Sequence, residues 1–127
     1  MKIEKQIVVI ADRVLISPDE EKSRTGSGLY LPQGLSEKER VQSGFVVKTG
    51  PGYILPYRDS SDPWLDRNNE PVYIPLQVRP GDYAIFLRKD AVEIEYNDKV
   101  YLIVAHSAIL AVIRDKLKTD IDDGDEI

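Results

Sequence analysis

The feature that most constrains the fold is a series of short apolar runs, each too brief for a helix of ordinary length. These runs are rich in Val, Ile, Tyr and Phe, which favour strands, and turn-forming sequences separate them. Gly50-Pro51-Gly52 and Pro80-Gly81-Asp82 are such turns, and residues 96–99, with Asn and Asp at the centre, predict a hairpin. The pattern predicts an all-β barrel or sandwich, with strands at 7–10, 14–16, 45–48, 83–87, 92–96, 100–104 and 109–113 and a single turn at 106–108.

Composition excludes several classes of function. The 127 residues contain no cysteine, which rules out disulfides, cysteine nucleophiles and cysteine metal sites and agrees with a reducing compartment. The net charge of −5 argues against nucleic-acid binding, because phosphate contacts need a basic surface. No apolar run approaches the roughly 20 residues of a membrane span, and the apolar stretch near the N-terminus is too short for a signal peptide. We therefore expect one soluble cytoplasmic domain.

Patterns for catalysis and for metal binding are weak in this chain. His106 is the only histidine, and a structural turn is favoured over a catalytic pair with its neighbour Ser107. Gly50-Pro51-Gly52 lacks the Lys-Ser/Thr that completes a phosphate-binding loop. The four carboxylates between residues 59 and 70 do not have the spacing of a Ca²⁺-binding loop. We expect no enzymatic activity, no cofactor and no metal site.

A long polar segment at about residues 17–43 carries a small apolar cluster. Apart from Leu29, Tyr30 and Leu31 and two isolated apolar residues, the stretch is polar, charged, Gly or Pro. A segment this polar cannot bury enough surface to hold itself in place, so we expect a mobile loop. The triplet then has two interpretations, which the pattern alone does not separate. It could dock in an apolar groove on another protein, or it could anchor the loop on the chain's own barrel.

The order of several short motifs adds a family resemblance. They are Asp12-Arg13-Val14, the apolar triplet in its loop, Ser43-Gly44-Phe45-Val46-Val47, Val78-Arg79-Pro80-Gly81-Asp82, Val100-Tyr101-Leu102-Ile103-Val104 and Ser107-Ala108-Ile109-Leu110-Ala111. In order and approximate spacing, the chain resembles a GroES-type co-chaperonin, the lid of the double-ring chaperonin, over roughly residues 7–113. No single motif is specific, whereas the ordered set is. The resemblance implies a small irregular β-barrel that caps the nucleotide-bound chaperonin and closes the folding chamber over client proteins.

The resemblance also assigns a docking role to the apolar triplet and its flanking residues. It implies that Gly28, Leu29, Tyr30, Leu31 and Pro32 insert as an extended segment between helices of the chaperonin apical domain. Burying the three large side chains would yield about 5–8 kcal/mol, and ordering the segment would cost about 2–5 kcal/mol. The surplus corresponds to roughly millimolar affinity for one loop, so several tethered loops are needed to hold the lid.

Two further expectations about assembly come from the resemblance. It implies that the first strand of one subunit pairs with the last strand of its neighbour, in a ring of seven subunits. The residues concerned are Ile7, Val8, Val9, Ile10, Ile109, Leu110, Ala111, Val112 and Ile113. Such a head-to-tail contact closes a ring and covers two strand edges. The other interpretation is that the two strands pair with each other within one subunit.

Two segments depart from the family pattern and keep other functions open. Residues 51–77 are longer than the family's roof hairpin, and residues 114–127 form an acidic tail with three basic and six acidic residues. Tyr57, Trp64 and Tyr73 lie in the roof insertion, where a local mini-core is favoured over a client-specific surface. An assembly or scaffold protein that reuses the lid barrel without binding a chaperonin is the main alternative. The catalytic domain of a medium-chain dehydrogenase is disfavoured, because the chain has no dinucleotide-binding half and no cysteine for zinc.

Overall fold

The structure, a computed structural model, describes residues 2–19, 40–55 and 72–117, which form strands and short turns. The strands are β1 (Arg13–Pro18), β2 (Val41–Thr49), β3 (Tyr53–Ile54), β4 (Tyr73–Ile74), β5 (Tyr83–Leu87), β6 (Ala91–Tyr96), β7 (Lys99–Ala105) and β8 (Ile109–Ile113). Single 3-10 turns at Arg88–Asp90 and His106–Ala108 precede β6 and β8. The all-β fold and the turn predicted at residues 106–108 are therefore confirmed.

Six strands form one antiparallel sheet in the order β6-β7-β1-β2-β5-β8. β1 and β2 lie at its centre, and β6 and β8 are its two edges. Strands β3 and β4 pair with each other in a separate two-stranded hairpin, which occupies the place predicted for the roof insertion. The sheet carries the core, and the hairpin lies outside it.

The composition of the core shows that the six-stranded sheet curls round on itself. The buried cluster contains Val14, Ile16, Val46, Val78, Ala84, Phe86, Leu102 and Val104, which come from β1, β2, β5, β7 and the segment before β5. Both edge strands pack against this same cluster, β6 through Ala91 and β8 through Ile109 and Val112. Opposite edges of a flat sheet could not share one core, so the predicted small irregular barrel is confirmed.

Two β-bulges help the sheet to bend. Val47 is an extra residue of β2 in the pairing with β1, and Leu110 is an extra residue of β8 in the pairing with β5. A bulge bends its strand and increases the local twist, and both effects favour closure. The bulge in β8 also interrupts the alternation of that strand, so that Leu110 and Ala111 are both exposed.

The hairpin between β6 and β7 has the geometry that its sequence predicts. Asn97 and Asp98 form a two-residue turn with φ of 51° and 63°, the left-handed conformation at both positions that defines a type I′ turn. Asn and Asp tolerate this conformation better than other non-glycine residues, since their short side chains bond to the local backbone. The hairpin predicted at residues 96–99 is confirmed.

The strand predicted at residues 7–10 is wrong for the single chain. Residues 2–10 form no strand, and β8 pairs with β5, so the proposed pairing of the two termini within one subunit is not formed. The segment instead runs beside the end of β2, where the Lys48 ammonium donates to the Ile7 carbonyl at 2.9 Å. Gly50 has to be glycine here, because a Cβ would collide with the Ala11 carbonyl oxygen. The apolar pattern indicated a strand, but its partner is not found among the described residues of this chain.

The strands beside the polar segment are β1, which ends at Pro18, and β2, which begins at Val41, so they overlap both ends of the range of about 17–43 expected for the loop. The acidic tail at residues 114–127 stays a prediction, and its first residue, Arg114, is bonded to the turn before β5.

Candidate interaction site

The predicted docking residues 28–32 lie outside the described residues, as do Tyr57 and Trp64 of the roof insertion. The structure does describe both ends of the segment that carries the docking residues. It also describes all nine residues predicted for the subunit interface. The site can therefore be examined at its base and at the two termini of the barrel.

The last strand has one open edge. β8 pairs with β5 along one side only, and nothing else in the described part of the chain pairs with it. Ile109 and Val112 turn into the core, whereas Leu110 is 58% exposed and Ile113 is also exposed. An open strand edge with exposed apolar side chains is a surface that accepts another strand.

A groove lies along this strand. Its volume is about 340 Å³, and it is lined by β8 together with Tyr53, Gln77, Val78, His106 and Ser107. Both apolar side chains and backbone polar groups are thus available in one place. Those are the two requirements of recognition by strand addition, in which backbone bonds give affinity and side-chain pockets give specificity.

The N-terminal segment has the complementary properties. Ile3, Val8 and Ile10 are exposed large apolar side chains, with Val8 at 66%. Within the described residues, nothing pairs with this segment as a strand partner. The structure thus presents an apolar segment without a strand partner and an open strand edge in one chain, and it does not bring them together.

At the base of the polar segment, the two flanking strands are joined by a hydrogen-bond network that is buried at Ser43 and Tyr83, partly buried at Asp19, and was missed by sequence reasoning. The Asp19 backbone N–H donates to the Ser43 carbonyl at 3.0 Å. The Tyr83 hydroxyl donates to the Asp19 carboxylate at 2.8 Å and lies 2.7 Å from the Ser43 hydroxyl. Because its proton goes to Asp19, the Tyr83 oxygen accepts from Ser43. Tyr83 is 40 positions from Ser43 and 64 positions from Asp19 in the sequence, and no local motif predicts contacts over such separations.

A second feature that sequence reasoning missed fixes the end of β8. Arg114 donates two hydrogen bonds to the Asp82 carboxylate, at 2.7 and 2.6 Å, and one to the Gln77 carbonyl at 3.0 Å. These hydrogen bonds from Arg114 hold the pKa of Asp82 below its ordinary value, with a smaller contribution from the Arg79 backbone N–H and against the opposing effect of burial. Asp82 belongs to the Pro-Gly-Asp turn, so this pair joins that turn to the start of the tail.

The hairpin of β3 and β4 is attached to the barrel by a contact between side chains. The Tyr53 hydroxyl lies 2.8 Å from Nδ1 of His106, and the two rings meet edge to face. The only histidine of the chain lies in the turn predicted at residues 106–108, and it also makes a structural contact beside β8.

Within residues 2–19, 40–55 and 72–117, no three His, Cys, Asp or Glu side chains lie close enough to hold a metal ion. In the same ranges, no helix has the length and apolar character needed to cross a membrane.

Comparison with known proteins identifies the family. The family described as "Chaperonin 10 Kd subunit" matches residues 6–113. The chain is 35% identical to the co-chaperonin GroES of Corynebacterium jeikeium over 104 residues, which cover 82% of this chain and 90% of that protein. It is 36% identical to the co-chaperonin GroES of Mycolicibacterium vanbaalenii over the same shares of both chains. It is 32% identical to that of Coprothermobacter proteolyticus over 108 residues, 85% of this chain and 95% of that protein.

Fold and similarity agree on the class of protein. The described residues form a curled antiparallel sheet with an open last strand, and the sequence between its first two strands is long and mostly polar. The chain belongs to the family of 10 kDa chaperonin subunits and is a GroES-type co-chaperonin.

Proposed function

We propose that this co-chaperonin assembles into a ring that caps a nucleotide-bound chaperonin and closes the folding chamber over a client protein. The observation that carries the proposal is that one chain has two complementary surfaces, an open strand edge and an apolar segment that could fill such an edge. β8 has an open, partly apolar edge, and the N-terminal segment has exposed apolar side chains without a strand partner. Family membership supplies the chaperonin as the partner.

Ring formation follows from the placement of these two surfaces. Residues 7–10 of one subunit would pair with the open edge of β8 of the next, and the exposed Val8 and Ile10 side chains would meet the groove beside Leu110. The two surfaces differ, so the contact is head to tail, and repetition around an axis closes a ring. The family resemblance favours seven subunits.

The docking element proposed is residues 28–32, carried between β1 and β2. Leu29 and Leu31 would supply most of the apolar area that enters the chaperonin groove, and each loop alone would bind weakly. Several loops on one ring act together, because binding of the first raises the effective concentration of the others. A small loss of affinity in each chaperonin groove is then multiplied by the number of loops around the ring, and this allows the lid to be released.

The lid is proposed to act without chemistry of its own. Its chain lacks a phosphate-binding loop motif, so nucleotide hydrolysis would take place in the partner ring. The absence of cysteine is compatible with the cytoplasm, where we place the complex.

Native mass measurement tests the ring. The full chain should give an oligomer, and a variant without residues 1–10 should give monomers, because the edge of β8 then has no strand to accept. A full chain that is monomeric at micromolar concentration would overturn the ring.

Capture by a chaperonin ring, with and without ATP, tests the capping. The full chain should bind only with nucleotide, and Leu29→Ser with Leu31→Ser should abolish binding while the ring mass stays unchanged. Leu35→Ser, a change of the same kind in the same segment, is the matched control and should bind normally. A ring that forms but never binds a chaperonin would instead support the scaffold alternative.

A further inference from the structure

The two ends of the polar segment meet at one buried side chain. β1 ends at Pro18, β2 begins at Val41, and Tyr83 lies on β5, which pairs with β2. Its hydroxyl donates to the Asp19 carboxylate at 2.8 Å and lies 2.7 Å from the Ser43 hydroxyl. Asp19 and Ser43 are also joined directly by a backbone hydrogen bond of 3.0 Å. One tyrosine thus bonds to the residue before the segment and to a residue just after it.

The surroundings of this tyrosine hold it in a fixed position. Tyr83 and Ser43 are each only 2% exposed. The Tyr83 ring packs edge to face on Phe45, its register partner in β2, with 4.9 Å between ring centres. The hydrogen bond between Tyr83 and Ser43 is buried, where water does not compete for it, and the one between Tyr83 and Asp19 is partly buried.

We propose that Tyr83, Asp19 and Ser43 form a loop-base clamp, which holds the two ends of the docking loop side by side. This inference rests on the proposed function, because the segment between residues 20 and 39 carries the proposed docking element. Tyr83 is a positioning residue, and it makes no contact with the chaperonin itself. Its effect on binding passes through the ends of the loop.

The physical effect of the clamp is on the entropy of docking. Without the hydroxyl, the last pairs of β1 and β2 can open, and the loop lengthens by the residues that leave the strands. A longer loop with free ends has more conformations to lose when it binds. The clamp removes this freedom before docking and so lowers the cost of ordering each loop.

Tyr83→Phe tests the clamp with the smallest possible change. The ring contact with Phe45 remains, and only the hydroxyl is lost. We expect the mass of the ring to stay unchanged. We expect the whole lid to bind a nucleotide-bound chaperonin ring about tenfold more weakly, which corresponds to about 1.4 kcal/mol over all its loops together. Tyr96→Phe, the same change at the far end of β6, is the matched control and should bind like the unmodified chain.

A cross-link separates loop closure from general loss of stability. Asp19 and Ser43 continue the pairing of Pro18 with Gly44, so they lie opposite each other as a hydrogen-bonded pair. Such pairs have Cα atoms about 5.5 Å apart, which suits a disulfide. The chain has no cysteine of its own. In the Tyr83→Phe background, Asp19→Cys with Ser43→Cys should restore full binding when oxidised and not when reduced.

The outcomes are distinct. If the unmodified chain binds and Tyr83→Phe binds equally well, or if the oxidised cross-link fails to restore binding, the clamp is wrong. If the unmodified chain does not bind the chaperonin, or if changing Leu29 and Leu31 to Ser has no effect, the proposed function is wrong instead.

Discussion

The apolar residues of this protein fall into two groups with opposite surroundings. The first group is buried in one core, where Val14 of β1, Phe86 of β5 and Val104 of β7 have no exposed surface. Those of the N-terminal segment and the outer side of β8 are largely exposed, although they are just as apolar. The packing of one chain explains the first group. The second group has no comparable packing among the described residues, and exposed apolar surface of this kind is typical of an interaction site.

This difference predicts where substitutions act. A change in the core should alter the stability of every subunit, whatever its state of assembly. A change at the termini should alter assembly and leave the fold of each subunit intact. A core substitution that altered only assembly, or a terminal substitution that also destabilised the subunit, would contradict the division between the two groups.

The largest effect on stability is expected for truncation in the core. Phe86→Ala should lower the free energy of unfolding by about 3–5 kcal/mol, because a buried ring is replaced by a cavity. Val8→Ala, an apolar truncation in the exposed N-terminal segment, should change it by no more than about 0.5 kcal/mol. Denaturant titration measures both free energies of unfolding, with each substitution made in a monomeric background such as Leu110→Lys. Equal losses would show that the N-terminal segment belongs to the core of its own chain.

The next effect concerns assembly without loss of fold. Leu110→Lys places a charge on the open edge of β8 and should shift the oligomer to monomer at micromolar concentration, with little change in the unfolding of the monomer. Val92→Lys is the matched control, since Val92 is 60% exposed on the opposite edge strand β6. Sedimentation velocity compares the two variants. If Val92→Lys dissociates the oligomer and Leu110→Lys does not, the interface lies at the other edge of the sheet.

A smaller effect on the free energy of unfolding is expected when the pH is lowered. The pKa of Asp82 is lowered, chiefly by the hydrogen bonds from Arg114, so its contribution to stability is present above its unfolded value of 3.8. That contribution is lost as pH falls through the still lower value of the folded protein. Arg114→Ala should therefore destabilise the chain at neutral pH and make its stability less dependent on pH below about 4. Thermal unfolding between neutral and strongly acid pH measures this, and parallel curves for both proteins would contradict it.

The smallest effect is expected at the hairpin of β3 and β4. Tyr53→Phe removes the hydroxyl that lies 2.8 Å from His106 Nδ1, a contact exposed to water. The loss should be no more than about 1 kcal/mol. Amide exchange should rise in β3 and β4 and stay unchanged in the six-stranded sheet. A loss of protection throughout the sheet would show that the hairpin is part of the core unit.

The parts of the fold predicted correctly from sequence are those that depend on neighbours along the chain. The hairpin at residues 96–99 needed only two turn residues between apolar runs, and the structure has its positive φ angles at Asn97 and Asp98. The strand at residues 7–10 depended on a distant partner. Its apolar pattern is real, but no strand pairs with it within residues 2–19, 40–55 and 72–117.

The chemistry of the candidate site was less accessible from sequence for the same reason. Ser43, Tyr83 and Asp19 are ordinary as single residues, and the pairing of β2 with both β5 and β1 brings them together. Arg114 looked like the start of a charged tail, yet it bonds to a carboxylate 32 positions earlier. Long-range polar contacts leave no periodic signal, whereas buried apolar faces do.

The bulge at Leu110 also limits how any strand could join β8. Along a regular strand, side chains alternate, so a partner that slides by two residues meets an equivalent surface. Here Ile109 points inward, Leu110 and Ala111 are both exposed, and Val112 points inward again. A partner displaced by two residues would meet a different sequence of faces. One extra residue therefore gives this edge a single preferred register. If every subunit accepts a strand in that register, every contact between subunits has the same position and angle.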